Sequence, residues 1–247
     1  MISVCMAVYN GQKYIFEQLN SILKQLSPGD EVIISDNCST DSILDVIKSI
    51  KDSRIAIYSF CNKSPVLNFE NALSKSSGEY IFLSDQDDIW EENKVQVILE
   101  LLNKYDTVIS DCTVIDEKNN ILFDSFFKIM HSKKGLFKNY YKPSFLGCCM
   151  AFRRSILIKS LPFPPNIPMH DWWIALISEM FGKTYYLQEK LVRYRRHTSN
   201  ATATTGQSQY GIKYKILFRL ILFYYLFIRY MSVKVFNKNY KNVILNK

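Results

Sequence analysis

The first 84 residues of this 247-residue chain alternate between short strand-like segments and amphipathic helical segments. The strand-like segments are β-branched or aromatic, are bounded by Asn, Gly, Asp or Pro, and cover residues 2–8, 31–35, 54–59 and 80–84. The segments with the apolar spacing of a helix lie between them, at residues 14–25, 41–50 and 67–74. This alternation predicts β-α-β units and a largely parallel sheet, with ligands bound beyond the carboxyl ends of its strands.

The second half of the chain is less regular. A helix is predicted at 93–104 and another at 170–181, with strands at 107–111 and 146–152. Four prolines between residues 162 and 168 exclude a regular helix there, because proline fixes φ and lacks an N–H donor. Residues 198–209 are rich in Ser, Thr, Ala and Gly, which predicts a flexible loop.

The fourth predicted strand ends at three carboxylates within four residues, Asp85, Asp87 and Asp88. Like charges this close repel one another, and a divalent cation with oxygen ligands would relieve the repulsion. A solvated acidic loop that caps the next helix explains the same residues without a metal. Asn10 and Asp36 also follow strand ends, so one crevice would gather them with Asp85.

Positive charge is concentrated at the C-terminal end. The net charge is +8, yet residues 190–247 contain twelve of the 31 lysines and arginines and none of the 23 acidic residues, so the rest has a net charge of −4. A basic tail favours an anionic surface, either membrane or nucleic acid. The six cysteines form no C-x-x-C pair and the N-terminus has no signal-peptide pattern, which favours a reducing cytosol.

The tail is also strongly apolar. Its uncharged run, residues 220–228, is far shorter than the ~20 residues that span a bilayer. At 100° per residue, Lys215, Arg219 and Arg229 fall within an arc of about 80°, beside faces of Leu, Ile, Phe and Tyr. An interfacial helix on anionic lipid has this composition. The alternative is a helix packed on the domain with its arginines extended outward.

Several motifs along residues 1–200 resemble those of family 2 glycosyltransferases with the GT-A fold. Asp85-Gln86-Asp87 after an apolar strand resembles their D-x-D motif, and the segments 4–11 and 35–41 are similar to the family's first-strand and second-strand signatures. Further segments resemble the bacterial surface-polysaccharide branch, which includes rhamnosyltransferase-like enzymes; they are 83–90, 170–173 and 195–200.

The resemblance implies one Rossmann-like α/β sheet, mostly parallel and flanked by helices. The implied divisions are a GT-A domain over 1–210, with a nucleotide-binding half at 1–105 and an acceptor half at 106–210, and a basic aromatic helical tail at 211–247. The tail is expected to associate with a membrane.

The resemblance also implies a metal and a nucleotide-sugar site. Asp87 would hold Mn²⁺ or Mg²⁺, with Asp85 nearby and His197 completing the shell, although a histidine beside a basic run is also ordinary surface. The residues implied for nucleotide-sugar contacts are Val8, Tyr9, Asn10, Asp36, Asn68, Asp85, Gln86 and Arg195. Tyr9 would stack on the base or pack beneath it. Arg193, Arg195 and Arg196 would clamp the diphosphate or form a basic patch facing lipid.

Asp171 is the candidate general base that would accept a proton from the acceptor hydroxyl. The adjacent Trp172 and Trp173 would exclude water or stack on a sugar. Gly147 and Cys148 are expected to approach the acceptor, since glycine permits close backbone approach. A routine helix N-cap explains Asp171 without catalysis.

The expected function is metal-dependent, inverting hexosyl or deoxyhexosyl transfer in surface-polysaccharide assembly. The donor would be a dTDP- or UDP-sugar and the acceptor a lipid-linked saccharide, with the enzyme peripheral at the cytoplasmic face of the cell membrane. A sugar-phosphate nucleotidyltransferase is the first rival, but Asn10-Gly11 does not supply the Gly-rich loop such enzymes generally have. A nucleic-acid-binding module is the second, and the acidic crevice argues against it.

Overall fold

A computed structural model describes residues 1–197 and 211–235. The strands are β1 (Ile2–Val8), β2 (Glu31–Asp36), β3 (Ile55–Ser59), β4 (Tyr80–Ser84), β5 (Ile89–Trp90), β6 (Thr107–Ile115), β7 (Ile121–Phe123), β8 (Met150–Arg153) and β9 (Thr184–Arg195). The helices are α1 (Ile15–Leu23), α2 (Ile43–Ser49), α3 (Pro65–Lys75), α4 (Lys94–Leu102), α5 (Phe126–Met130), α6 (Leu136–Tyr141), α7 (Arg154–Ser160), α8 (His170–Phe181) and α9 (Ile212–Val235). The predicted loop at 198–209 lies outside the described residues.

The four predicted N-terminal strands form the parallel half of one sheet with the order β3-β2-β1-β4-β8-β6-β9-β5, and β7 pairs with β6. The register places Val8 opposite Asp36 and Met6 opposite Ser84. The residues that follow β1, β2 and β4 therefore meet at one edge of the sheet, as the sequence predicts. Strands buried on both faces favour continuous apolar runs, and the sequences of β1 and β2 show such runs.

The second half completes the same sheet by mixed pairing. Strand β8 runs antiparallel to both β4 and β6, and β9 runs parallel to β6 and antiparallel to β5. The predicted strand at 146–152 is partly wrong, because Gly147–Cys149 forms a 3-10 turn before β8 begins. The pattern did not predict β9, since register shifts around Asp111 interrupt its pairing and its middle is exposed and polar.

Two of the cysteines are joined. Cys38 and Cys61 form a disulfide with their Cα atoms 5.2 Å apart, whereas Cys5, Cys112, Cys148 and Cys149 are buried thiols. The bond connects the loop after β2 to the loop after β3. Asn37 reinforces this connection, because its Oδ1 accepts the backbone N–H of Asn62 at 3.1 Å.

The arginines of α9 are directed into the domain, so the predicted outward basic stripe is wrong for Arg219 and Arg229. Arg229 is buried above the Trp173 ring and donates to the carbonyls of Lys159 and Leu161 at 2.7 and 2.8 Å. The last carbonyls of a helix lack intrahelical partners, so the guanidinium satisfies the end of α7. Nothing is described for the Lys215 side chain.

The opposite face of α9 is exposed and apolar. Its exposed large side chains are Ile216, Leu217, Leu220, Phe223, Tyr224, Phe227, Ile228, Tyr230, Met231 and Val235. By length and composition alone the longer segment Ile216–Val235, which includes charged residues on both sides of the short uncharged run, could cross a membrane. Because Arg219 and Arg229 bind the domain, the described arrangement is a helix lying along it.

We expect Arg229→Ala to lower the free energy of unfolding by about 2–4 kcal/mol, because buried carbonyls lose a charged donor. Urea unfolding would measure the change. The matched control is Lys234→Ala, on an exposed position of the same helix, for which we expect a change within about 0.5 kcal/mol. Equal stability of both variants would contradict the role of Arg229.

Candidate active site

The loop after β1 is fixed by side chains that the sequence had suggested for nucleotide contacts. The Gln86 amide pairs with the Tyr9 backbone, accepting its N–H at 2.9 Å and donating to its carbonyl at 3.0 Å. A Cβ at Gly11 would lie 2.4 Å from Gln86 Cδ, so only glycine admits this pairing. Asn10 accepts the Thr40 N–H at 2.8 Å. The Tyr9 ring is 54% exposed, which leaves it available to a base.

The loop after β2 is held in a similar way. Asp36 is buried, and its carboxylate accepts the hydroxyl of Ser39 at 2.6 Å. Asn68 of α3 is buried and donates to the Ser35 carbonyl at 2.9 Å. Val8 is buried in β1. These residues, which the sequence predicts to bind the nucleotide, are therefore buried, and Asp36 and Asn68 hydrogen-bond to other parts of the protein.

Asp87 and His197 meet although 110 positions separate them in the sequence. Asp87 Oδ2 lies 2.7 Å from His197 Nε2, and the imidazole stacks on Tyr14 with centroids 5.2 Å apart. The buried Asp88 accepts the Arg195 backbone N–H at 2.9 Å. Asp88 thus docks the end of β9 on the acidic loop.

Arg195 is not placed as the predicted diphosphate clamp. Its guanidinium is 1% exposed and donates to the Asp87 carbonyl at 2.8 Å and to Glu17 at 2.8 Å. It also donates to Asn119 Oδ1 at 2.6 Å. Arg193 pairs with Glu91 at 2.7 Å, on the outside of β9. A buried guanidinium needs such partners to offset its desolvation, so Arg195 braces the loop from within.

The carboxylates repel one another. Burial, followed by the charges of Asp87 and Asp171, raises the pKa of Asp85 to about 8. Burial, followed by the charges of Asp87 and Asp85, raises the pKa of Asp88 well above its usual range. Single donor atoms of Asp85, Asp88 and Cys148 lie within 4.8 Å of one another. The Asp87–His197 pair next to Asp85 offers oxygen and imidazole donors, which suit Mn²⁺, and a cation there would relieve the repulsion.

Asp171 also acts on Asp85, because its charge contributes to the raised pKa of that carboxyl group. It belongs to the first turn of α8 and follows His170, with Met169 at the N-cap, so the capping interpretation is wrong in position. Burial raises the pKa of Asp171 to about 6. Burial also lowers the pKa of His170 to about 3, which keeps that imidazole neutral against the Phe69 ring.

The segment around Gly147 packs directly on Asp171. A Cβ atom at Gly147 would lie 3.0 Å from Asp171 Cβ and 3.3 Å from its Oδ2. Trp172 is half-buried and donates to the Asn139 carbonyl at 2.8 Å. Trp173 is fully buried and donates to the Ser160 carbonyl at 2.9 Å, so its predicted sugar-stacking role is wrong. Cys148 is buried beside Asp85.

Sequence reasoning missed Lys94. This lysine is fully buried, donates to the Cys148 carbonyl at 2.8 Å and lies 4.0 Å from the centre of the Trp90 ring. Burial lowers its pKa, against the opposing charges of the nearby thiols and Asp88. The readable signal was its position four residues before Ile98, on the apolar face of α4.

A family model described as glycosyl transferase family 2 matches residues 3–161. The dTDP-rhamnosyl transferase RfbG of Shigella flexneri is 25% identical over 240 residues, which cover 86% of this chain and 78% of that protein. The UDP-Glc:alpha-D-GlcNAc-diphosphoundecaprenol beta-1,3-glucosyltransferase WfaP of Escherichia coli is 27% identical over 183 residues, which cover 72% of this chain and 71% of that protein.

Solved structures share the fold. The crystal structure of S. aureus TarS 1-349 with UDP-GlcNAc matches with a TM-score of 0.67 and 19% identity, over 84% of this chain and 61% of that one. The mannosyltransferase PcManGT of Pyrobaculum calidifontis, in complex with GDP-Man and Mn2+, matches with a TM-score of 0.58 and 20% identity, over 76% and 54%. The chain thus spans less than two thirds of either structure, and the predicted α/β fold class is confirmed. With well over half of its residues matched by the family model, the chain belongs to glycosyl transferase family 2.

Proposed function

We propose that this glycosyltransferase moves a hexosyl or deoxyhexosyl group from a dTDP- or UDP-sugar to a lipid-linked saccharide in surface-polysaccharide assembly. The carrying observation is that the fold brings Asp87 to within 2.7 Å of His197 and gathers Asp85 with them, where the charges of both Asp87 and Asp171 raise the pKa of Asp85. The carboxylate cluster and the candidate base therefore act on one another electrostatically. The names of RfbG and WfaP support these donor and acceptor classes.

The proposed metal residues are Asp87 and His197, with Asp85 beside them. Their donor set fits Mn²⁺ or Mg²⁺, and the raised pKa of Asp85 records the repulsion that such a cation would offset. The cation would supply charge neutralisation at the departing nucleoside diphosphate. Asp88 and Arg195 hold the end of β9 in register so that His197 remains opposite Asp87.

Asp171 is the proposed general base of an inverting transfer. Its carboxylate would accept the proton of the acceptor hydroxyl while that oxygen attacks the anomeric carbon and the diphosphate leaves. Burial makes Asp171 a stronger base than an exposed aspartate, since its pKa is about 6. Gly147 allows its segment to pack closely on Asp171, and the partly buried Trp172 next to Asp171 would limit the access of water.

Asp171→Asn is expected to reduce kcat by about 10²–10⁴-fold while nucleotide binding with Mn²⁺ persists, because only proton transfer is lost. Asp87→Asn is expected to lose both turnover and the metal dependence of nucleotide binding. Turnover of dTDP- and UDP-sugars with and without Mn²⁺, beside titration of UDP and dTDP, would separate the two effects.

Asp45→Asn, on an exposed position of α2, is the matched control and should behave as wild type. Unchanged turnover in both site variants would reject the mechanism. Pyrophosphate release from a nucleoside triphosphate and a sugar phosphate would favour the nucleotidyltransferase instead.

The pH dependence of transfer follows from Asp171. Because its folded-state pKa is raised to about 6, the carboxylate gains a proton as pH falls through that value and can no longer accept one. We expect kcat/KM to fall about tenfold per pH unit below pH about 6, measured at saturating Mn²⁺. UDP affinity over the same range is the control for loss of metal. A flat profile down to pH about 5 would exclude Asp171 as the base.

A peripheral location at the inner face of the cell membrane is proposed for the α9 face. The exposed apolar and aromatic side chains suit the interface of a bilayer, and Arg219 and Arg229 direct their charges toward the domain instead. The acidic crevice argues against nucleic acid as the partner of the catalytic side.

Replacing Leu220, Phe223 and Phe227 together by Ser should release the protein from lipid vesicles while leaving the packed side of α9 intact. Burial of three large apolar side chains contributes several kcal/mol, so we expect binding to weaken by more than about 100-fold in co-sedimentation. The matched control replaces three exposed apolar residues of β7, Ile121, Leu122 and Phe123, by Ser. Equal vesicle binding by both triple variants would reject the anchor.

A further inference from the structure

The segment around α6 has an unusual surface. From residue 125 to residue 170 the chain contains eight lysines and arginines and no acidic residue, so the net −4 of the first 189 residues hides a second basic region. Phe137 is 86% exposed and Tyr141, one helical turn later, is 68% exposed. Lys133, Lys134 and Lys142 flank them and are exposed. These five residues are called the α6 surface.

The positive charge of the α6 surface is not neutralised locally. Lys133, Lys134 and Lys142 form no ion pair within the described part of the chain. Burial and the charges of Lys133 and Lys142 lower the pKa of the intervening Lys138. Lysines before, within and after α6 repel one another, and an anionic partner would reduce that repulsion.

The α6 surface is continuous with the apolar face of α9. The Arg219 guanidinium lies 4.7 Å from the centre of the Tyr141 ring and donates to the Tyr141 carbonyl at 2.8 Å. The Tyr140 hydroxyl donates to the Arg219 carbonyl at 2.6 Å. The exposed Ile216 and Leu220 lie within one turn of Arg219 on α9. Aromatic rings flanked by lysines therefore adjoin a broad apolar face.

We propose that the α6 surface binds the headgroups of an anionic bilayer. Phe137 and Tyr141 would enter the interface while the lysines contact lipid phosphates, beside the α9 face. A nucleic acid matches the charge but not the adjoining apolar face, which would stay in water. The inference rests on the membrane location proposed above and adds a second source of preference for anionic lipid, separate from α9, whose Arg219 and Arg229 face the domain.

The α6 surface also connects to the catalytic side. Asn139, buried on the inner side of α6, accepts the Trp172 indole N–H at its carbonyl at 2.8 Å, and Trp172 follows Asp171. Headgroup binding at α6 would therefore place the membrane surface near the candidate base, which is connected to α6 through Trp172 and Asn139. The saccharide of a lipid-linked acceptor begins at the headgroups, so it would lie close to this surface.

The test uses the full chain with vesicles of phosphatidylcholine alone and of equal parts phosphatidylcholine and phosphatidylglycerol. In the triple variant Lys133→Glu, Lys134→Glu, Lys142→Glu, affinity for the mixed vesicles should fall at least about tenfold, with affinity for the neutral vesicles unchanged. The matched control replaces three exposed lysines elsewhere by Glu, namely Lys24, Lys48 and Lys104. Phe137→Ser should weaken binding to both kinds of vesicle. Urea unfolding and donor-sugar turnover, expected to match wild type, check that the variants fold.

Wild-type affinity of the triple lysine variant for the mixed vesicles would overturn the inference, as would an equal loss in the control. Binding of the wild type to single-stranded RNA but to neither vesicle would overturn it in favour of nucleic acid. If the wild type transfers sugar yet binds neither vesicle, both membrane proposals fail and the transferase proposal stands. If it binds mixed vesicles without transferring sugar, the surface assignment stands alone.

Discussion

The rest of the site depends on the docking of the end of β9 against the acidic loop after β4. The Asp88 carboxylate accepts the Arg195 N–H, and the Arg195 guanidinium returns a hydrogen bond to the Asp87 carbonyl and reaches Glu17 on α1. Buried polar groups that hydrogen-bond one another in this way favour one arrangement, because breaking one contact leaves charges without partners. Because His197 lies two residues after Arg195, this docking is what places its imidazole beside Asp87.

The same docking explains how three carboxylates coexist at one strand end. Two fully buried cations, Arg195 and Lys94, lie behind the cluster and partly offset its charge from the protein side. Asp85 nevertheless remains under the charges of both Asp87 and Asp171, which raise its pKa together with burial. A divalent cation that enters with an anionic diphosphate would offset this remaining repulsion.

Sequence reasoning succeeded where the information is local. The apolar strands, the polar residues just after them and the D-x-D spacing all follow from short-range patterns, whereas His197 and Asp171 are implied by the family resemblance. It failed where partners are distant. Arg195 and Arg229 resemble surface cations in sequence, but their carbonyl partners lie about 70 to 110 positions away and draw them inward. The strand β9 escaped notice because its polar middle and irregular register hide the alternation.

The contacts of α8 tie the proposed chemistry to the proposed membrane face. Asp171 lies in the first turn of this helix, Trp172 next to it binds Asn139 of α6, and Trp173 lies beneath Arg229 of α9. Both surface elements thus brace the two residues that follow the candidate base. Aromatic side chains held by N–H donation and by a cation transmit position well, because their packing permits few alternatives. Binding of α6 and α9 to a bilayer would consequently fix the height and orientation of Asp171, so that the membrane itself helps to align a lipid-linked acceptor with the base.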